Sequence, residues 1–362
     1  MHLNTNSDKH KTCLVTGGAG FIGCALSPAL ARRFSQVVAM DNLHPQIHAP
    51  RERPAALDPL VALEIGDVTC ADDWDRVLQR VRPDVVVHLA AETGTGQSLD
   101  ESTRHAMVNV VGTTCMFDAF TRHGVVPERF VLSSSRAVYG EGCWRADDGQ
   151  VHHPGQRSQA QLESGQWDFP RLSPEPFRSA TTPPAPTSIY GATKLAQEHL
   201  LSAWALARGS SPRILRLQNV YGPGQSLSNP YTGIVSLFVR MAKVGRAIPL
   251  YEDGEMTRDF VLIDDVATAL LSAIDAPSGG FTVDVGTGRA ATIRTVAQII
   301  ARRYGAPTPE VCGKFRNGDV RHASCDITDT LQALDWTPEV NLEDGLEKLC
   351  QWIDGQASLP PL

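Results

Sequence analysis

No apolar run in this chain approaches the roughly 20 residues needed to cross a bilayer, and the opening MHLNTNSDKHK is polar where a secretion signal would be apolar. Both absences predict a cytoplasmic protein with no membrane partner. A block of basic residues is missing too: 33 Lys and Arg stand against 40 Asp and Glu, a net charge of −7. That leaves no electrostatic footprint for nucleic acid, so an anionic ligand has to be held by individual arginines. The eight cysteines, Cys13, Cys24, Cys70, Cys115, Cys143, Cys312, Cys325 and Cys350, contain no pair at the close spacing of metal or redox motifs. Reduced structural thiols and no metal are expected. No internal repeat is visible.

What is present is 362 residues, 42% hydrophobic and 20% charged, enough for one large domain or two unequal ones. Short apolar runs recur through the first 270 residues: CLVTG, Gln36 to Met40, Val61 to Ile65, Asp84 to Leu89, Arg129 to Leu132 and Arg213 to Leu217. Between them, Phe21 to Phe34, Asp72 to Val81, Asp100 to His123 and Tyr190 to Arg208 carry apolar residues at helical spacing. The alternation predicts an α/β protein with a doubly wound parallel sheet between two helical layers. Residues 141–188 break the rhythm, being polar, rich in Gly and Pro, and ending in PPAPTS. They read as an ordered, loop-rich insertion, with a disordered linker as the alternative. After Ala276 short strands, turns and helices such as Thr292 to Tyr304 and Leu342 to Trp352 suggest a small C-terminal substrate domain.

TCLVTGGAGFIG sets Gly17, Gly20 and Gly23 at a strand-to-helix turn, where missing side chains admit a pyrophosphate and the helix N-terminus attracts its charge. Glycines also serve ordinary turns, but the apolar strand before and the amphipathic helix after make this a dinucleotide fingerprint. Asp41 ends the next strand, VVAMD, where a carboxylate bonds ribose hydroxyls and repels the extra phosphate of NADP, favouring NAD. Its competing role is a turn residue before Asn42. Asp67, in EIGDV, is a candidate adenine contact.

Tyr190 and Lys194 in YGATK lie one helical turn apart, so the ammonium is expected to lower the phenol's pKa and bind the nicotinamide ribose. Ser135, in VLSSSRAVYG, is placed to share a substrate hydroxyl with Tyr190. A YxxxK pattern is common by chance and serine clusters often cap helices, so the combination carries the argument.

GGAGFIG, HLAAETGTGQS, NVVGTT, SSSRAVYG, YGATK, RLQNVYGPG, MTRDFVLIDD and GDVRHASCD occur in the order seen in extended short-chain dehydrogenase/reductases that modify nucleotide sugars, which the chain resembles over nearly its whole length. The resemblance implies a Rossmann-type sheet with a smaller C-terminal α/β substrate-binding domain. It divides the chain into an NAD-binding domain, 11–218, and a mainly nucleotide-sugar-binding domain, 219–362, with 233–244 and 259–286 returning to the first. Tyr190 becomes the base, Lys194 its electrostatic partner and Ser135 the hydroxyl-positioning group. Gly17, Gly20, Phe21, Ile22, Asp41, Asn42, Asp67, Val68, Leu89, Ala90, Ala91 and Asn109 join Tyr190 and Lys194 around the cofactor. Thr93, Arg136, Asn219, Arg258 and Arg321 join Ser135 around the substrate, with guanidinium groups suited to phosphate. Surface ion pairing is the ordinary alternative for such arginines. A homodimer through helices 100–123 and 190–208 is also implied.

Relatives that are 4,6-dehydratases carry an Asp-Glu pair where this chain has Arg136 and Ala137, so elimination of water lacks its carboxylates. Hydride removal from carbon 4 by NAD and return to the opposite face is the simplest chemistry left. AAETGTGQS, SSSRAVYGEG, QSLSNPYTGI and the long insertion look most similar to dTDP-L-rhamnose 4-epimerases, which make dTDP-6-deoxy-L-talose. UDP-hexose or UDP-uronate 4-epimerases, a 2-epimerase and an oxidative decarboxylase stay open, as does a non-catalytic NAD or nucleotide-sugar sensor, which the intact Ser135, Tyr190 and Lys194 disfavour.

Overall fold

Seven apolar runs form one parallel sheet. They are β1 (Thr12–Thr16), β2 (Gln36–Asp41), β3 (Ala62–Ile65), β4 (Val85–His88), β5 (Arg129–Ser135), β6 (Ser211–Leu217) and β7 (Phe281–Val285), in the spatial order β7-β6-β5-β4-β1-β2-β3. The computed structural model describes residues 8–48, 51–227, 229, 233–277, 279–357 and 359–360. The first seven residues of the polar N-terminus, and Ser228 and 230–232 of QSLSNPYTGI, lie outside them. β4 is VVVH with all four residues buried, the near-continuous apolar pattern of a strand covered on both faces.

Helices α1 (Phe21–Arg33), α2 (Ala71–Leu78), α3 (Gly112–Arg122) and α4 (Ile189–Arg208) supply the covering layers. Trp74 on α2, Phe120 on α3 and Phe130 on β5 are completely buried in one layer, with ring centroids about 6 Å apart in edge-on contact. Each such side chain contributes roughly 1.5–3 kcal/mol by leaving water. The single helix expected over 100–123 is instead broken: Thr95–Asp100 and Ser102–Ala106 precede a π-helical turn, Met107–Val111, that carries the buried Asn109 into α3. Such wide turns recur at functional sites.

Strands Asn219–Tyr221, Thr257–Leu262, Ala290–Thr292 and His322–Ala323 form a second sheet. Helices α5 (Ile234–Lys243), α6 (Ile263–Asp275), α7 (Ile293–Tyr304) and α8 (Leu342–Asp354) are the longer helices of this part of the chain. The expectation that 233–244 returns to the first domain is corrected. Val235, Phe238 and Val239 of α5 share a core with Val296 and Ile300 of α7 and Leu346 and Leu349 of α8, because the apolar face of α5 finds its partners there. By contrast α6 packs on α1 with the β-sheet core, and β7 pairs with β6.

The insertion has structure of its own: a sheet of Trp144–Ala146, Val151–His152 and Leu172–Pro174, and a helix Gln159–Glu163 capped by Ser158. Trp144 is fully buried and its indole donates to the Glu141 carbonyl. Among the described residues no helix is long and apolar enough to cross a membrane.

Candidate active site

Strand order reverses between β1 and β4, and the loops leaving those two strands meet there, which is where open α/β sheets bind ligands. Gly17, after β1, has φ +65°, and a Cβ on it would stand 2.7 Å from the Ala90 nitrogen, so only glycine lets the two backbones approach this closely. A cavity of about 780 Å3 including its open mouth lies at this junction, lined by Gly17, Gly20, Asp41, Asn42, Val68, Leu89, Ala90, Ala91 and Thr93. Gly20 caps α1 without a side-chain bond, leaving first-turn N–H groups for an anion. Phe21 and Ile22 do not line the cavity; their side chains pack against the second core.

Asp41 is buried at the end of β2; its carboxylate accepts from Ala19 N at 3.0 Å and Leu43 N at 2.9 Å, joining the glycine turn to the next loop. Asn42 donates to Asp67 at 2.9 Å, and Asp67 also accepts from the Thr69 backbone and hydroxyl. Burial pushes the Asp67 carboxyl up, but those bonds outweigh it and hold it below the usual range. Asp67 faces an adjoining depression with Arg51 and Arg76, not the main cavity. Glu92, Arg104, His44, Gln46 and His48 also line the cavity and were not singled out from sequence. Arg104 reaches Glu92 at 2.9 Å and Gln46 at 3.0 Å, contacts between loops that no local motif signals.

The second cluster gathers where α4 begins. Ser188 caps that helix by accepting from Gly191 N, and a Cβ on Gly191 would come 2.3 Å from the Ala137 carbonyl oxygen. The missing side chain lets the helix start press against the turn after β5, which brings the Tyr190 phenol beside Ser135. Burial raises the pKa of the phenol, while Ser135 and the nearby Arg136 charge pull it back. The charge acting on the phenol is therefore that of Arg136. The expected Lys194 effect is corrected, because the Lys194 ammonium donates inward to Gln197 at 2.5 Å.

Arg136 donates to Asn219 at 2.8 Å, and burial together with the Arg258 charge lowers it to about 9. Arg258 is buried and donates to the carbonyls of Val320, Thr257 and Arg321. Asn109 is fully buried and bonds both backbone groups of Glu92 and the Thr193 hydroxyl, so it ties the cavity wall to α4 rather than facing a ligand. Arg321 is a correction: its side chain is 1% exposed and its donors are taken by Asp168, Glu252 and Asp253. It anchors the insertion to the C-terminal domain and has no donor to offer a phosphate.

The model of the NAD dependent epimerase/dehydratase family matches residues 13–286. The chain is 57% identical to a dTDP-L-rhamnose 4-epimerase of Burkholderia thailandensis over 352 residues, 97% of each chain. Among solved structures it resembles the UDP-glucose 4-epimerase of Thermotoga maritima with UDP-glucose, with a TM-score of 0.77 and 28% identity over 95% of this chain and 98% of that one. The UDP-glucose 4-epimerase of Thermus thermophilus in complex with NAD gives a TM-score of 0.75 and 28% identity over 95% and 99%.

Proposed function

The chain belongs to the NAD-dependent epimerase/dehydratase family, and from that premise we propose that it converts dTDP-L-rhamnose to dTDP-6-deoxy-L-talose. It is an NAD-dependent nucleotide-sugar epimerase, and the observation that carries the substrate is the 57% identity, spanning 97% of both chains, to a dTDP-L-rhamnose 4-epimerase.

The cavity has the features NAD needs: a glycine turn that a Cβ would fill, an open helix N-terminus and a buried carboxylate at the end of β2. Gly17, Gly20 and the first turn of α1 hold the pyrophosphate. Asp41 and Asn42 serve the adenosine ribose, Val68 and Asp67 the adenine side, and Leu89, Ala90 and Ala91 the nicotinamide side with Lys194. When bound, NAD supplies a reversible hydride acceptor for carbon 4 of the sugar.

Tyr190 removes the carbon-4 hydroxyl proton as hydride leaves and returns it after the sugar has turned its other face. Ser135 orients that hydroxyl. Arg136, Arg258 and Asn219 hold the nucleotide diphosphate and sugar, with Thr93 on the wall, and Arg136 eases ionisation of the phenol. Arg136 and Ala137 replace the Asp-Glu pair of dehydratases, so the keto sugar is reduced again rather than dehydrated.

The protein works in the cytoplasm as a homodimer. Leu99 at 53% and Leu206 at 72% exposure, with Met107 and Val111, leave apolar surface on the helices expected to pair, in keeping with a four-helix interface.

The test incubates protein and NAD with dTDP-L-rhamnose, UDP-galactose, UDP-glucuronate or UDP-N-acetylglucosamine, each followed by proton NMR. Conversion of dTDP-L-rhamnose alone to its carbon-4 epimer without net NADH is the expected result. Turnover of a UDP sugar instead, or NADH with carbon dioxide, would replace this reading with a UDP-sugar epimerase or a decarboxylase.

A further inference from the structure

Behind Lys194 runs a chain of buried polar side chains that the catalytic reading does not use. The Lys194 ammonium donates to Gln197 Oε1 at 2.5 Å. Gln197 is completely buried, with Nε2 2.9 Å from Thr113 Oγ1 and 3.2 Å from His88 Nε2. Thr113 donates its hydroxyl proton to the Asn109 carbonyl at 2.7 Å, so its oxygen is left to accept. His88 places Nε2 3.0 Å from that oxygen and Nδ1 2.6 Å from Thr16 Oγ1, while Ala90 N points at the same Thr16 oxygen at 3.3 Å.

Two of these directions are fixed: Thr113 donates to Asn109, and its oxygen accepts from the Gln197 amide. His88 Nε2 bonds either that oxygen as a donor or the Gln197 amide as an acceptor, according to its tautomer, and in both cases the Gln197 nitrogen faces Thr113 and His88. Burial, reinforced by the Lys194 charge, lowers His88 to about 3, so the imidazole stays neutral at working pH. With its nitrogen committed to Thr113, Gln197 can offer Lys194 only oxygen.

We propose that Gln197, held in orientation by Thr113 and His88, is a positioning residue that supplies the buried Lys194 ammonium with its acceptor and keeps it charged. The other charged or titratable groups around Lys194 are Tyr190 and Glu198 on its own helix and His88 on β4. Glu198 is paired with Arg216 of β6 at 2.7 Å and accepts from Ser134 of β5; Arg136 lies beyond Tyr190. Glu198 supports the ammonium at a distance, whereas Gln197 Oε1 is its hydrogen-bonded acceptor among the described residues. Burial draws Lys194 down to about 7, so loss of one acceptor falls where the charge is most easily lost.

The proposal rests on the reading of Lys194 as a residue of the nicotinamide side, and its test uses neither sugar nor turnover, so a failed epimerase assay leaves it standing. The chain has six lysines, so protein carrying ε-13C-lysine gives a readable titration, with Lys194 assigned by its loss in Lys194→Arg. Gln197→Leu is expected to lower the Lys194 midpoint by about one pH unit and Gln197→Glu to raise it by about as much. An unchanged midpoint in Gln197→Leu, or no rise in the nearly isosteric Gln197→Glu, overturns the proposal. Should the leucine variant not fold, the glutamate variant decides alone.

Discussion

At the scale of the residue, the Tyr190 phenol is under opposed influences, since burial keeps its proton on while Ser135 and Arg136 favour its release. Tyr190→Phe should cut kcat by at least about 10²-fold while NAD affinity and the unfolding midpoint stay near wild type, as measured by single-turnover kinetics and calorimetry. Arg136→Gln removes the cation, so the phenol ionises at higher pH and the acid limb of the kcat–pH profile should move upward; a limb that stays in place would reassign that charge. That Ser135 ends a strand and that Tyr190 and Lys194 lie one turn apart on a helix could be read, because each sits in a short motif; the partner of the Lys194 ammonium could not, since Gln197 is oriented by Thr113 and His88 from other elements. Arg321 was not, because the carboxylates that occupy it lie 68, 69 and 153 positions away. No local pattern separates a phosphate ligand from an arginine whose partners come from so far along the chain.

At the scale of the element, the insertion is held by charge. Arg157, 1% exposed, donates to both oxygens of Glu252 and to Glu141, while Arg321 joins Asp168 of the insertion to Glu252 and Asp253. Removing one partner strands buried carboxylates, so Arg157→Ala should cost about 3–5 kcal/mol in a urea unfolding series. Arg321→Met should likewise lower stability but leave KM for the nucleotide sugar within about twofold, since uniform binding is untouched. A large rise in KM without loss of stability would restore Arg321 to the phosphate site. Strands such as β2, β4 and β5 could be read from sequence because parallel pairing buries both faces and leaves apolar runs, whereas β7, FTVDV with Asp284 inside it, was not among them. The breaks between residues 95 and 112 could not, because the side chain inside the π turn, Asn109, takes its meaning from Glu92 and Thr193. The destination of α5 was missed for a similar reason: an amphipathic helix declares an apolar face but not which core receives it.

At the scale of the whole molecule, β7 returns from the second domain to complete the first domain's sheet and brings Asp284 against the Tyr139 hydroxyl at 2.8 Å. Burial, only partly offset by the Tyr139 bond and the Arg216 charge, raises Asp284 to about 7 from an ordinary 3.8. The folded protein therefore binds more protons than the unfolded chain between those values, and this group's contribution to stability is lost as pH rises through that window. Asp284→Asn should flatten the fall in unfolding free energy between about pH 4 and pH 7; an unchanged slope would place the titrating group elsewhere. The anchoring of 141–188 has a consequence for descent and for engineering. Because Arg157 and Asp168 answer to Glu252, Asp253 and Arg321, the insertion and those distant positions are coupled energetically as one unit. A graft of residues 141–188 alone into a relative lacking these counter-charges would leave buried Arg157 with Glu141 but without the two-oxygen pairing to Glu252, so new specificities built on this scaffold have to move both segments together.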